Sequence, residues 1–273
     1  MHLYAGGEGP VTVVFSAGWG TANPYADFYP LNEKLESKVR IAVYDRFGYG
    51  FSDMTERKRD IDGIAEEIHQ LLERSGQRPP YVFAAHSLGS LEAIRYAQKY
   101  PDEVKGIVFI EGGSPEYYAA SQPLTAVPLA YRFAVKSGIA RLLYSVGGFA
   151  DWMADDRNGL RLLPPELKEM DRVSTLLLAG NRNMTDEIRL SRENAETVLR
   201  GKKLLGVPIT VLTADAFGKL SEDRAWQSSQ AAFPSWSAEG RQIVVPNAAH
   251  YLHHYAPDLV AAEILKLAGK SSG

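Results

Sequence analysis

A serine hydroxyl becomes a useful nucleophile only when a nearby imidazole can take its proton. One serine in this chain is framed for that chemistry. Ser87 lies in Ala84-Ala85-His86-Ser87-Leu88-Gly89-Ser90, between the strand-like run Tyr81-Val82-Phe83-Ala84-Ala85 and a stretch of helical period from Leu88 to Tyr100. A strand–turn–helix junction strains the residue at its apex and leaves the hydroxyl exposed. Small residues must flank the apex, because the strand and helix backbones approach closely there. Ala85 and Gly89 supply them, with Ala85 replacing the more usual glycine. Position 87 also opens a helix, where backbone N–H groups favour developing negative charge. A serine there could equally be a simple helix cap, so its partners decide the reading.

There are six histidines. His250 follows the strand-like Gln242–Val245 after the short loop Pro246-Asn247-Ala248-Ala249 and is the expected base. His2 is terminal, His69 rides a helix face, and the His86 side chain should point away from Ser87 across the turn. His253 and His254 stand three and four residues beyond His250, a spacing that on a helix can bring imidazoles to one metal. No carboxylate lies among them in sequence, and the glutamate of the zinc-protease pattern is missing. No metal and no cofactor are therefore expected. A third member should be a carboxylate that orients the imidazole. Glu111, after Ile107–Ile110, and Asp215, after Ile209–Ala214, each end a strand.

The elements that must hold these residues alternate along the chain. Val11–Ser16, Val39–Tyr44, Tyr81–Ala85, Ile107–Ile110, Ile209–Leu212 and Gln242–Val245 read as buried strands. Between them, Ile61, Ile64, Ala65, Ile68, Leu71 and Leu72 share a helix face, and a last helix spans roughly Pro257–Leu267. Such alternation implies a parallel sheet covered on both faces. The segment 114–200 breaks the rhythm. It is helical in character, and after a strand's C-terminal end it would lie over the ligand crevice. The expected division is a core of 1–113 and 201–273 with a helical lid at 114–200, whose aromatic residues suit either a pocket lining or the lid's own core.

Composition narrows the partners. A net charge of −3 with pI near 6.1 gives no reason to expect nucleic acid. The absence of cysteine excludes disulfides and thiolate chemistry. No run approaches the roughly 20 apolar residues of a membrane span, and the N-terminus has no leader-like pattern. A cytoplasmic location and a small-molecule substrate are the expectation, with oligomeric state open.

Gly18-Trp19-Gly20, the stretch Tyr44-Asp45-Arg46-Phe47-Gly48-Tyr49-Gly50-Phe51-Ser52, the turn at Ser87 and Ala248-Ala249-His250 occur in that order. Together they resemble the α/β-hydrolase superfamily over essentially the whole chain outside 114–200. The resemblance implies an α/β-hydrolase fold, with a mostly parallel central sheet flanked by helices and a lid after the strand that follows the nucleophile helix. It implies Ser87 as nucleophile and His250 as base, with Ala249 replacing the usual glycine. Most of the family takes its acid after the later strand, where Asp215 sits somewhat early. Another branch takes it after the strand following the nucleophile helix, which favours Glu111 although Asp is usual there. The oxyanion donors would be the backbone N–H groups of Leu88 and of Trp19, in a loop that often reads His-Gly-x. Haloalkane dehalogenase and epoxide hydrolase relatives carry Asp in place of Ser87. The expected reaction is hydrolysis of a carboxylic ester of a small to medium, partly apolar substrate. Amide or carbon–carbon cleavage by the same residues, or a ligand receptor with little turnover, are the alternatives.

Overall fold

Among the described residues, seven strands form one sheet in the order β1-β3-β2-β4-β5-β6-β7. The computed structural model describes all residues except 124, 147, 202–203, 216–223 and 270–273, together with the side chains of 150 and 151. The strands are β1 (His2–Gly6), β2 (Thr12–Ser16), β3 (Arg40–Asp45), β4 (Tyr81–His86), β5 (Val104–Ile110), β6 (Ile209–Ala214) and β7 (Gly240–Val245). Only β1 runs antiparallel, against β3. Every other pairing is parallel.

Alternate residues of each central strand point to opposite faces, and both faces are dry. Val14, Phe83, Ala85, Ile107 and Phe109 enter one core with α2 (Ile61–Arg74) and α3 (Gly89–Lys99). Val13, Phe15, Val82, Ala84 and Val108 enter the other, with α1 (Pro24–Leu35) and the C-terminal helix Pro257–Gly269. This is why the strands read as continuous apolar runs rather than alternating ones. Helix α1 carries little apolar periodicity and contains Pro30. Its local signal is the cap, where Asn23 accepts a hydrogen bond from Ala26 N–H and Pro24 opens the first turn.

Between β5 and β6 the described residues are helical: α4 (Pro115–Ala120), α5 (Ala126–Lys136), α6 (Ile139–Ser145), α7 (Phe149–Met153), α8 (Pro165–Leu178) and α9 (Arg182–Arg200). Helix α10 (Arg224–Ala232) follows β6, and α11 is the helix Pro257–Gly269. Helix α9 packs on α3 and α4, and α8 on α1. No helix among the described residues is long and apolar enough to cross a membrane.

Candidate active site

Strand β4 delivers Ser87 into a left-handed conformation, with φ of 50°, before α3 begins. For a residue with a side chain this is strained backbone, sustained only when the surroundings over-determine it. They do so here. Ser87 C=O accepts from both Gly113 N–H and Ser90 N–H at 3.1 Å. A Cβ on Gly89 would lie 2.5 Å from the Ser16 carbonyl oxygen, so the second residue after the apex must be glycine. Ala85, by contrast, sits in register between Ser16 and Phe109 with its methyl group in the core.

His250 reaches the same point from the loop after β7, with its Nε2 3.0 Å from Ser87 Oγ. Burial, helped by the neighbouring His253 and opposed by the Asp27 charge, pushes its imidazole down to about 4. The Tyr118 phenol, from α4, also interacts with Ser87, and burial raises its pKa. Tyr118 is one of the aromatic residues of the 114–200 segment, and nothing in its spacing singles it out.

The loop 17–19 lies directly against this turn. A Cβ on Gly18 would come within 2.8 Å of His86 Nδ1 and 3.0 Å of the Ser87 Cβ. Arg46 fixes the loop from behind, donating to the carbonyls of Ala17 at 2.8 Å and Gly18 at 3.1 Å. Trp19 is held through its indole N–H, which donates to Met184 C=O at 2.7 Å. Leu88 is buried in the α3 cap position. Arg46 of the sequence motif thus shapes the loop beside the serine.

The two acid candidates stand apart. Glu111 has no exposed surface, and its backbone is left-handed with φ of 46°. Its carboxylate accepts from Ala214 N–H and from Trp226 Nε1–H, both at 2.7 Å. Burial lifts it to about 7 against those two hydrogen bonds. Asp215 is exposed, and its backbone N–H donates to Val245 C=O. Among the described residues, neither carboxylate bonds His250, and its buried Nδ1 has no hydrogen-bond partner. The Trp226 ring packs edge-on against His250 at 5.7 Å. Trp226 therefore touches both Glu111 and the imidazole, a link that no local pattern announces.

A carboxylate does join His253 and His254, from far away in sequence. Asp27 on α1 accepts from His253 Nε2 at 3.0 Å and from His254 Nε2 at 3.1 Å. These three residues, all buried, offer ligand atoms within 4.8 Å of one another. The expectation that no carboxylate accompanies the pair is corrected by the fold, which lays α1 across the 252–254 turn. The Arg157 guanidinium lies 3.2 Å from Asp27 Oδ1, a cation that would repel a metal ion. We assign no metal there. His86 also departs from a merely outward side chain. Its ring packs 4.8 Å from that of His250, and its Nε2 bonds the His250 carbonyl at 3.1 Å.

Beside the site is a cavity of about 660 Å³, lined by Trp19, Tyr131, Tyr144, Trp152, Arg157 and Tyr251 among others. Its walls mix aromatic and charged groups, as small-molecule sites do.

The comparisons agree with this architecture. Residues 11–257 match the family model described as alpha/beta hydrolase fold. The Bacillus subtilis protein YbdG is 41% identical over 118 residues, 43% of this chain, and the match spans only 36% of YbdG's length. Among solved structures, Cfl2 from Burkholderia cenocepacia superposes with a TM-score of 0.73 at 18% identity, covering 97% of this chain and 90% of Cfl2. The enol-lactonase from Burkholderia xenovorans superposes with a TM-score of 0.69 at 16% identity, covering 98% and 96%. A match across this much of the sheet and its loops settles membership: the chain belongs to the α/β-hydrolase family.

Proposed function

We propose that this protein is a serine hydrolase that cleaves a carboxylic ester, or a closely related acyl bond, through an acyl-enzyme. The observation that carries the proposal is the strained Ser87, with its hydroxyl 3.0 Å from His250 Nε2. An imidazole pushed down to about 4 is neutral at physiological pH and can accept the serine proton. Attack forms an Oγ–acyl bond, and the oxyanion that develops is taken by the N–H groups of Leu88 and Trp19, each contributing roughly 3 kcal/mol. His250 then returns its proton to the departing alcohol, and water releases the acid by the same steps in reverse. Residues 114–200 act as a lid over the cavity. The substrate is a small molecule, and the setting is cytoplasmic.

We assign the acid role to Glu111 rather than Asp215. Glu111 is buried in the wall of the site, and its partner Trp226 abuts His250. The assignment requires the carboxylate to exchange its indole hydrogen bond for one from His250 Nδ1–H. Glu111→Gln should lower turnover about 10⁴-fold, as wrong-tautomer variants of such triads do, while Asp215→Asn retains activity. Collapse in Asp215→Asn alone refutes it.

The reaction class is tested with p-nitrophenyl esters of increasing chain length, with Ser87→Ala as control. Hydrolysis that disappears in Ser87→Ala is expected, with Ser87 labelled by a fluorophosphonate. No hydrolysis and no labelling would leave a ligand-binding protein as the reading. A lactone is an internal ester open to the same chemistry, and the enol-lactonase resemblance makes lactones the first alternative substrates to try.

A further inference from the structure

Behind His250 lies a buried layer of ionisable groups that acyl transfer does not touch. Asp27 is fully buried and is faced by His253, His254 and Arg157. Arg157 is in turn chelated by Asp171 of α8, at 2.7 and 3.1 Å, and its guanidinium lies over the Tyr251 ring. Two carboxylates share one guanidinium, which leaves one surplus negative charge shielded from water. A buried charge of that kind is costly unless a neighbour balances it. The groups placed to do so are imidazoles. His253 packs edge-on against His86 at 5.1 Å, and His86 packs against His250 at 4.8 Å. His86 also donates through Nε2–H to the His250 carbonyl. Among the described residues, the buried Nδ1 atoms of His86, His250, His253 and His254 all lack hydrogen-bond partners.

We propose that Asp27 is a positioning residue for His250. It is a buried counter-charge that works through His253 and His86 to orient the imidazole and to balance the positive charge gained with the Ser87 proton. The inference rests on the reading of His250 as general base. The chain of contacts begins on α1, crosses the 252–254 turn and ends at the residue before Ser87, so one anion braces both loops of the site. The fields on His250 agree with this placement. Asp27 favours its protonated form, whereas burial and His253 oppose it. Burial alone would raise Asp27 itself, but His253, Arg157 and the two histidine hydrogen bonds hold it well below the ordinary carboxylate range. It therefore stays ionised across the working pH.

The test is Asp27→Asn, which keeps the shape and removes the charge. With p-nitrophenyl butyrate, kcat should fall about tenfold, the order of one pKa unit of base strength, with KM unchanged. The acid limb of the pH profile should move to lower pH, because His250 loses the charge that favours its protonated form. His253→Gln removes a group that opposes protonation of His250 and should move the limb to higher pH, and in that background Asp27→Asn should move it less than it does alone. An unmoved limb in both single variants overturns the proposal, even if stability falls. Should the variants fail to fold, imidazole ¹⁵N shifts of the unmodified protein decide. Coupled titration of His250 with His253 supports the proposal, and independent single-site titration refutes it. Fluorophosphonate labelling of Ser87 is measured alongside. If the unmodified protein is neither labelled nor active on esters, it is the hydrolase reading that has failed, and the NMR titration still judges Asp27.

Discussion

The two ends of the 114–200 segment are both helical, yet they are held to the molecule in opposite ways. Helix α9 is tied down along one face. Glu187 accepts from Tyr49 Oη at 2.6 Å and lies 3.3 Å from Arg46 and 3.7 Å from Arg59. Asn194 accepts from Ile61 N–H and donates to Arg59 C=O, and Asp186 accepts from Arg59 N–H. Leu190, Ala195 and Val198 are buried on the same side. Helices α5 and α6 bury almost nothing. Pro128 is the only buried residue of α5, and α6 has none. Phe133 is 68% and Leu142 66% exposed. The difference teaches that helical pattern alone does not say which part of an insertion belongs to the core. Polar side chains at helical spacing that find buried partners do say so, and they tie residues 182–200 to the core. The part before it carries the exposed helices and supplies Tyr131 and Tyr144 to the cavity wall.

The largest effect should come from cutting the α9 anchor. Glu187→Ala leaves Arg46 and Arg59 short of a partner in a buried site and should cost about 3–5 kcal/mol in urea unfolding. A loss below about 1 kcal/mol would mean that α9 is held by its apolar face alone.

A smaller effect should appear with pH. Glu92 lies in the same cluster, bonded by Arg46 at 2.8 Å and by the Tyr44 hydroxyl. Burial lifts its carboxyl to about 7 despite the opposing Arg46. A carboxyl raised in the folded state holds a proton that the unfolded chain has released. Its contribution is therefore complete below about pH 4.5 and is lost as pH rises through 7, on the order of 3 kcal/mol. Stability measured from pH 5 to 8 should fall, and Glu92→Gln should flatten the curve. An equal fall in the variant would remove Glu92 as its source.

The smallest effect belongs to the other end. Phe133→Ser and Leu142→Ser should each change stability by less than about 0.5 kcal/mol, because neither side chain leaves a packed environment. Limited proteolysis should cut within 126–146 before it cuts within 182–200, and the reverse order would undo the comparison.

The sheet was legible because its strands are buried on both faces, and continuous apolar runs such as Val13-Val14-Phe15 announce that. Helix α1 was not, because its burial comes from mixed residues such as Asp27, Phe28 and Asn32 rather than from a clean stripe. The Asn23-Pro24 start was the signal available. At the candidate site, Ser87 and His250 stand at strand ends, where local chain direction limits what their side chains can meet. Asp27 and Trp226 offer no such cue. They reach the site through helix packing, and neighbouring residues in sequence say nothing about which imidazole or carboxylate they will face. The acid is hard to read for the same reason. Glu111 and Asp215 both end strands, and only the tertiary fold buries one and exposes the other.

The Trp226 contact has a practical consequence. Its indole N–H is bonded to Glu111 while its ring edge faces His250, so the chromophore sits in the field of two titrating groups. The chain has four tryptophans, and Trp19 reports from the opposite wall through its bond to Met184 on α9. Replacing the others with phenylalanine would leave an emission signal from Trp226 alone. Its intensity against pH would read the charge state of the site directly, with no substrate, label or turnover needed.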